Sequence, residues 1–162
     1  MASRKVYALG ESVLRKKSKR VIEFDEDLWQ LLDDMKETMY KNDGMGLAAP
    51  QVGILRRVVV MDVNNHYYEL INPEIIAEEG EDIDTEGCLS VGKFKDEVKR
   101  PYKVTVRAVD RYNYPIEITG EKYFARCVCH ELDHLEGILF VDKSLKGKEF
   151  LQKKGLKWKY YF

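Results

Sequence analysis

The feature that most restricts the fold of this chain is a series of short strand-like segments lying between helical ones. The first helix is predicted over residues 25–40, where Leu and Met recur at i, i+3, i+4, i+7 and i+11. This spacing places the apolar side chains on one face of an amphipathic helix. Asp25 is the predicted N-cap, and the turn-forming residues 42–44 are expected to end the helix.

Segments rich in β-branched and aromatic residues follow this helix and predict strands. They span residues 57–62, 67–71, 103–109 and 116–119. Asn and Pro residues predict the turns between them, at positions 64–65, 72–73 and 113–115. Polar and apolar residues alternate along residues 103–107, so one face of that strand is expected to contact water.

Two further helices are predicted after the strands, over residues 121–135 and 146–155. A helix, then several strands, then helices is typical of the α+β class with antiparallel or mixed β-sheets, and not of a doubly wound fold. We expect the sheets to pack around the helix 121–135 as a central element, between an N-terminal helix and a C-terminal helix.

Length and composition restrict the class of protein further. A chain of 162 residues is the size of one ordinary domain, so we expect a single domain over residues 1–162. No apolar run approaches the roughly 18 residues of a membrane helix, and the first twenty residues lack the apolar core of a signal peptide. Three Cys residues without a secretion signal indicate reduced thiols and a cytoplasmic location, or an organelle reached by a transit peptide since removed.

Charge is distributed unevenly along the chain. The formal net charge is −1, but residues 143–162, the basic tail, hold seven Lys and one Glu. A basic tail on an acidic body indicates a polyanionic partner for the tail alone. The alternative is a solvated helix face that binds nothing.

The strongest local signal for chemistry is the sequence HELDH at residues 130–134. On a helix, His130 and His134 lie one turn apart on the same face, where they can bind one cation with Glu131 beside it as a proton acceptor. Two imidazoles leave a tetrahedral site one protein ligand short. The candidates for this ligand are the later acids Glu136, Asp142 and Glu149 and the thiolates of Cys88, Cys127 and Cys129.

Two other kinds of protein would share this helix. An HExxH-type metallopeptidase would take a third ligand other than Cys88. A non-enzymatic protein would close a structural zinc site with Cys127, Cys129, His130 and His134. A straight helix argues against the second alternative, because Cys129 is rotated by about 100° from the face of the other three residues.

Residues 44–51, with the sequence GMGLAAPQ, combine small residues with a side-chain amide. The Gly and Ala residues let another backbone approach closely, and Gln51 can donate hydrogen bonds. Taken alone, such a segment is more typical of packing at a helix–strand junction. It is not a phosphate-binding loop, because the Lys-Ser/Thr ending is absent.

Three segments in this order resemble the motifs of peptide deformylases: GMGLAAPQ at 44–51, EGCLS at 86–90 and HELDHL at 130–135. The resemblance extends over nearly the whole chain, from residues 13–15 to residues 139–142. It implies a bacterial-type peptide deformylase, a metal-dependent hydrolase. The expected reaction removes the formyl group from the N-terminal formylmethionine of nascent proteins and releases formate.

The resemblance also implies the composition of the metal site. Cys88, His130 and His134 would be the protein ligands of one divalent ion, with water as the fourth ligand. Iron(II) is the ion expected in the cell, with nickel or cobalt as active substitutes and zinc usually poorer. A thiolate places more charge on the ion than a third imidazole would, which is our hypothesis for why the identity of the metal matters.

The same resemblance assigns catalytic roles. Glu131 would act first as general base and then as general acid. Gln51 and the backbone N–H of Leu89 would stabilise the oxyanion that forms when the formamide is attacked.

For substrate binding, the resemblance implies that the backbone of Gly46 holds the peptide. Met45 would help to line the pocket for the methionine side chain. Cys127 is a second candidate for this lining, with plain core packing as its alternative. A tight wall near the metal would exclude larger acyl groups by steric clash.

The sequence departs from the family pattern at four places. Cys129 stands where Gln usually precedes the first motif His, and Val91-Gly92 displaces a common Pro. Lys95 stands where many members have Arg, and Ser12 replaces a usual Pro. These positions concern the surroundings of the metal and the recognition of the peptide, and not the ligands or the base.

Some family members use a C-terminal helix to reach the ribosome. The basic tail 143–162 is therefore expected to bind ribosomal RNA near the exit tunnel, beside formylmethionyl peptides as substrates. No interaction with DNA or a membrane is expected.

Overall fold

The computed structural model of the protein describes residues 2–158. Within this range lie three α-helices: α1 Glu26–Lys41, α2 Tyr123–Leu135 and α3 Gly147–Lys153. The same residues form seven strands: β1 Gly46–Ala48, β2 Val58–Val63, β3 His66–Glu79, β4 Asp82–Cys88, β5 Gly92–Arg100, β6 Lys103–Val109 and β7 Pro115–Glu121.

The strands form two separate sheets. Five strands pair in the order β1-β2-β3-β6-β7, and β4 pairs with β5 alone. Every pair between these strands is antiparallel. The predicted α+β class is therefore confirmed, in its antiparallel form. The β4–β5 hairpin is inserted in the chain between two neighbouring strands of the larger sheet.

The larger sheet lies between α1 and α2. Strand β2 is buried on both faces: Val58 and Val60 belong to the apolar cluster of α1, whereas Val59 and Met61 belong to the cluster of α2. Full burial of an aliphatic side chain of this size stabilises the fold by about 1.5–3 kcal/mol. The packing fixes α2 as the central helix, as predicted.

Helix α1 follows its sequence signals closely. The Asp25 side chain accepts a hydrogen bond from the Leu28 N–H at 3.0 Å, which confirms it as the N-cap. The helix ends at Lys41, and Asp43 then adopts a positive φ of 55°. This reversal directs the chain into β1 and places residues 44–46 beside α2.

One predicted turn is wrong. Asn64 and Asn65 form the expected tight turn with positive φ values of 57° and 63°. Asn72-Pro73, in contrast, lies inside β3, where the pairing with β6 shifts register between Ile71 and Glu74. The Asn72 side chain bonds the backbone of Val21 in both directions, and this second partner lets the strand continue as a bulge.

Three strands were not predicted from the sequence. Strand β1 has only three residues. Strands β4 and β5 are rich in charged residues, and only one position in β4 and two in β5 are buried. They lack the apolar alternation that identified the other strands.

The basic tail is described as far as residue 158, and residues 159–162 lie outside the described range. Helix α3 is shorter than predicted, and its Leu151 is buried. Phe150 stacks on Phe94 of β5 with ring centroids 4.0 Å apart. Leu145, which precedes α3, is 74% exposed. Among residues 2–158, no helix is long and apolar enough to cross a membrane.

Candidate metal and active site

The two motif histidines meet a thiol at the end of β4. One ligand atom each from Cys88, His130 and His134 lies within 4.8 Å of the others. The Cys88 Sγ is 3.4 Å from His134 Nε2. Cys127 and Cys129 do not join this group in the described part of the chain, so the third ligand left open by the sequence is Cys88.

A buried carboxylate orients the first histidine. His130 Nδ1 lies 2.9 Å from Glu86 Oε1, so a proton on Nδ1 is donated to the carboxylate and Nε2 is left for a cation. Burial alone would raise the pKa of Glu86, but hydrogen bonds from Arg100 and His130 hold it well below its ordinary value. The ionised carboxylate is therefore a permanent acceptor for His130.

The electrostatics of the site suit a cation. Burial alone would lower the pKa of His130, but its hydrogen bonds with Cys88 and Glu86 raise that pKa well above the ordinary value. Cys88 and Glu86 therefore stabilise positive charge at His130, and a bound ion would take the place of the proton on that imidazole. Burial and the neighbouring His130 lower the pKa of His134, which keeps that imidazole neutral as ligation requires. The donor set of one thiolate and two imidazoles fits a divalent transition metal.

Glu131 lies beside the ligands and against Gly46. Its side chain is buried, and burial raises its pKa to about 7. Within residues 2–158 its Oε1 has no hydrogen-bond partner. A Cβ atom on Gly46 would lie 2.5 Å from Glu131 Oε2. The absence of a side chain at residue 46 therefore makes the room that this carboxylate occupies.

Gln51 is held rigidly by a short 3-10 turn, Ala49–Val52. Its Oε1 accepts a hydrogen bond from the Ala48 N–H at 3.0 Å. Its Nε2 donates to Ser90 Oγ at 3.1 Å and faces Cys88 Sγ at 3.6 Å. These contacts fix which end of the amide is directed at the metal site.

The loop after Cys88 turns back sharply into β5. The Val91 N–H donates to the Cys88 carbonyl at 3.0 Å, and Gly92 closes the turn with a φ of 88°. Gly92, which lies where this sequence departs from the family pattern, thus supplies the positive φ that the turn requires. The Leu89 N–H makes no hydrogen bond to any residue in the range 2–158, so this donor is available beside the thiol.

A cavity of about 530 Å³ opens over the site. Every predicted site residue except His134 lines it, and Lys95 and Tyr123 add to its rim. The Cys127 Sγ lies 3.8 Å from the Met45 carbonyl. Burial raises the pKa of the Cys127 thiol well above its ordinary value, so this wall presents an uncharged thiol. Met45 is half exposed at the mouth.

Sequence reasoning missed the charged groups behind the ligands. Glu86 accepts hydrogen bonds from both Arg100 and Arg126. Arg100 also reaches Asp133 on α2 at 2.6 Å. The position of Glu86 two residues before Cys88 was the available signal, because residues two apart on a strand share a face.

The chain is similar over most of its length to known proteins of one family. The family described as polypeptide deformylase matches residues 3–150. A peptide deformylase of Caldanaerobacter subterraneus subsp. tengcongensis is 56% identical over 156 residues, which are 96% of this chain and 96% of that protein.

Solved structures of the same family are similar to this chain in fold and sequence. The crystal structure of a Legionella pneumophila peptide deformylase is 45% identical, with a TM-score of 0.89 over 94% of this chain and 93% of that one. The structure of a Synechococcus elongatus peptide deformylase in complex with actinonin is 40% identical, with a TM-score of 0.89 over 97% of this chain and 88% of that one.

Proposed function

This chain belongs to the peptide deformylase family, and we propose from that premise which of its residues perform each part of the reaction. It removes the formyl group from N-terminal formylmethionine in protein biosynthesis. The observation that carries the assignment is the convergence of Cys88, His130 and His134 within 4.8 Å.

The three converging residues would hold one divalent ion, and iron(II) is the proposed native one, with nickel, cobalt or zinc as substitutes. Such an ion would act as a Lewis acid that lowers the pKa of a bound water toward neutrality. The protein's part is to keep the Cys88 thiolate and both imidazoles in place, with Glu86 fixing the His130 tautomer. Metal analysis of protein purified without oxygen tests the choice of ion, since thiolate ligands oxidise in air.

Glu131 would move the proton. With a pKa of about 7, its carboxylate can accept a proton from the attacking water and return it to the departing amine. The absence of a Cβ at Gly46 leaves the room that this carboxylate needs beside the ligands. The unpartnered Oε1 leaves an acceptor free for the water.

Gln51 and Leu89 would stabilise the negative charge that develops on the formyl oxygen. The Gln51 amide is fixed by Ala48 and Ser90 with its N–H groups toward the site. The Leu89 N–H is adjacent in sequence to the ligand Cys88, so one loop positions both. Loss of one such donor typically lowers the rate by about 10²-fold or more.

The substrate peptide would bind along Gly46. Strand β1 occupies an edge of the five-stranded sheet, and an edge backbone can pair with an extended peptide. Met45 and Cys127 border the cavity next to it and would contact the methionine side chain.

The decisive experiment compares hydrolysis of formyl-Met-Ala with hydrolysis of acetyl-Met-Ala. We expect the free methionine amine to appear with the first peptide alone, together with formate. Glu131→Gln should lower kcat by about 10²-fold or more, whereas Glu117→Gln, which changes an exposed acid on β7, should not. Equal rates for Glu131→Gln and the parent would refute the assigned base.

We further propose that the basic tail binds ribosomal RNA from a cytoplasmic location, where nascent formylated chains are made. The apolar face of α3 is packed on the body, and Lys153 and Lys154 are exposed. Replacement of both by Glu should weaken salt-sensitive co-sedimentation with ribosomes. The control replaces Lys16 and Lys17, an exposed adjacent pair on the body. Ribosome association that changes neither with salt nor with replacement of either lysine pair would refute the proposal.

A further inference from the structure

One buried cation near the site has no part in the proposed hydrolysis. Arg126 lies on α2 with 6% of its surface exposed. Its Nη1 donates to Glu86 Oε2 at 2.7 Å and to the Val98 carbonyl at 2.8 Å. Its Nη2 donates to the carbonyl and the carboxylate of Asp82, at 2.9 and 3.0 Å. One guanidinium thus bonds both strands of the β4–β5 hairpin.

Side chains on one face of the helix and side chains on one face of a strand recur at nearly the same distance along their axes. Four residues of an α-helix rise about 6 Å, and two residues of a strand rise about 6.6 Å. Arg126, His130 and His134 follow each other at four-residue steps on α2, and Glu86 and Cys88 lie two apart on β4. The side-chain contacts between α2 and β4 follow this shared spacing.

Contacts move along the strand as they move along the helix, with two turns of the helix sharing Glu86. Arg126 and His130 bond opposite oxygens of Glu86, and His134 contacts Cys88. Sliding the hairpin along α2 would therefore separate Cys88 from the imidazoles and Glu86 from His130 together.

The hairpin depends on side chains for its position. It forms a sheet of its own and does not pair with the five-stranded sheet. In the described residues, β4 buries only Glu86, and its Ile83 is 64% exposed. Arg126 from the helix and Arg100 from β5, which reaches Asp133, add charged links between hairpin and helix.

We propose that Arg126 is a positioning residue of the metal centre. It sets the register of the β4–β5 hairpin on α2, and through that register it sets the separation of the Cys88 thiolate from the two imidazoles. It touches neither the reacting atoms nor the metal. The inference rests on the proposed ligand set.

The test measures metal binding and not turnover. Arg126→Met and Arg126→Lys are loaded with Co(II), and the absorption spectrum and the rate of cobalt loss to a chelator are recorded. Groups behind metal ligands typically change metal affinity by about 10- to 100-fold, so Arg126→Met should lose cobalt faster by that factor, with an altered thiolate-to-cobalt band. Arg126→Lys keeps the charge but loses the planar guanidinium whose two nitrogens bond the two strands at fixed positions, and should also lose cobalt faster.

The control is Arg111→Met. Arg111 is a partly buried arginine in the loop between β6 and β7, paired with Asp33 and Glu69, and none of these three residues lines the cavity over the metal site. It should lose thermal stability but keep the parent's spectrum and chelation rate.

Parent-like spectra and chelation rates in both Arg126 variants, with only a loss of stability, would overturn the proposal. If Arg126→Met does not fold, Arg126→Lys decides by the same criterion. Failure of the ligand assignment would look different, because the parent itself would then not bind cobalt in a 1:1 ratio with a thiolate band.

Discussion

At the residue scale, the site depends on the absence of a side chain at Gly46. A Cβ on Gly46 would lie 2.5 Å from Glu131 Oε2 and 2.9 Å from its Cδ, closer than packed atoms approach. Gly46→Ala should therefore displace the carboxylate and lower kcat for formyl-Met-Ala by about 10²-fold, the usual effect of a 1 Å misplacement.

Gly46→Ala should leave the metal content unchanged, because the three atoms nearest to the added Cβ all belong to Glu131 and none belongs to a metal ligand. Steady-state kinetics with metal analysis of the same preparation checks both expectations. A parent-like kcat would contradict the role of this contact.

Residue patterns revealed the ligands more readily than their surroundings. The four-residue spacing of His130 and His134 is a local property that a helix converts directly into geometry. The meeting of Cys88 with them depends on how the hairpin docks, which spacing alone left open and the family resemblance supplied. The bonds of Arg126 to two strands join residues that lie between 28 and 44 positions apart, and no local pattern encodes them.

At the scale of elements, the loop that closes the β4–β5 hairpin offers a controlled test of strain. Gly92 and Gly155 both have positive φ, 88° and 70°, and a Cβ on either would meet nothing within 4 Å. Replacement by Ala should therefore cost each variant a similar free energy of unfolding, about 1 kcal/mol, for backbone strain alone.

Only Gly92 closes the loop that carries Cys88 and the Leu89 N–H. Gly92→Ala should therefore lower kcat and speed metal loss, whereas Gly155→Ala, after α3, should change neither. Chemical denaturation and chelator kinetics on the two variants make the comparison. Equal activity in both would show that the loop tolerates the strain without moving its functional atoms.

The elements also show where sequence patterns fail. Helix α1 and strand β6 each bury one face at a regular period, and β2 is a short run of β-branched residues buried on both faces, so their sequences identified them. The charged hairpin is held by ion pairs and by the docking of Phe94 and Val98, and its sequence resembles a polar loop. Asn72-Pro73 has turn chemistry, but a partner outside the sheet converts the turn into a bulge.

At the scale of the whole molecule, we propose that residues 1–162 form one domain in which metal binding and folding are coupled. The three ligands come from two elements, the hairpin and α2, so the site exists only when both are folded together. A ligand that binds only the native state stabilises it by about 2.7 kcal/mol at a concentration of 100 Kd. For a domain of this size, that corresponds to a rise in Tm of about 5–10 °C.

A pair of thiol substitutions separates this coupling from general effects on packing. Cys88→Ala removes a ligand and should abolish the rise in Tm on addition of Co(II) or Ni(II). Cys129→Ala removes a buried thiol from the same helix that carries the imidazoles, and should lower the metal-free Tm while keeping the rise. Scanning calorimetry with and without metal measures both quantities. If Cys88→Ala kept the metal-dependent rise in Tm and Cys129→Ala lost it, the third ligand would be Cys129 on α2 and not Cys88. The assignment of the metal site would then be wrong.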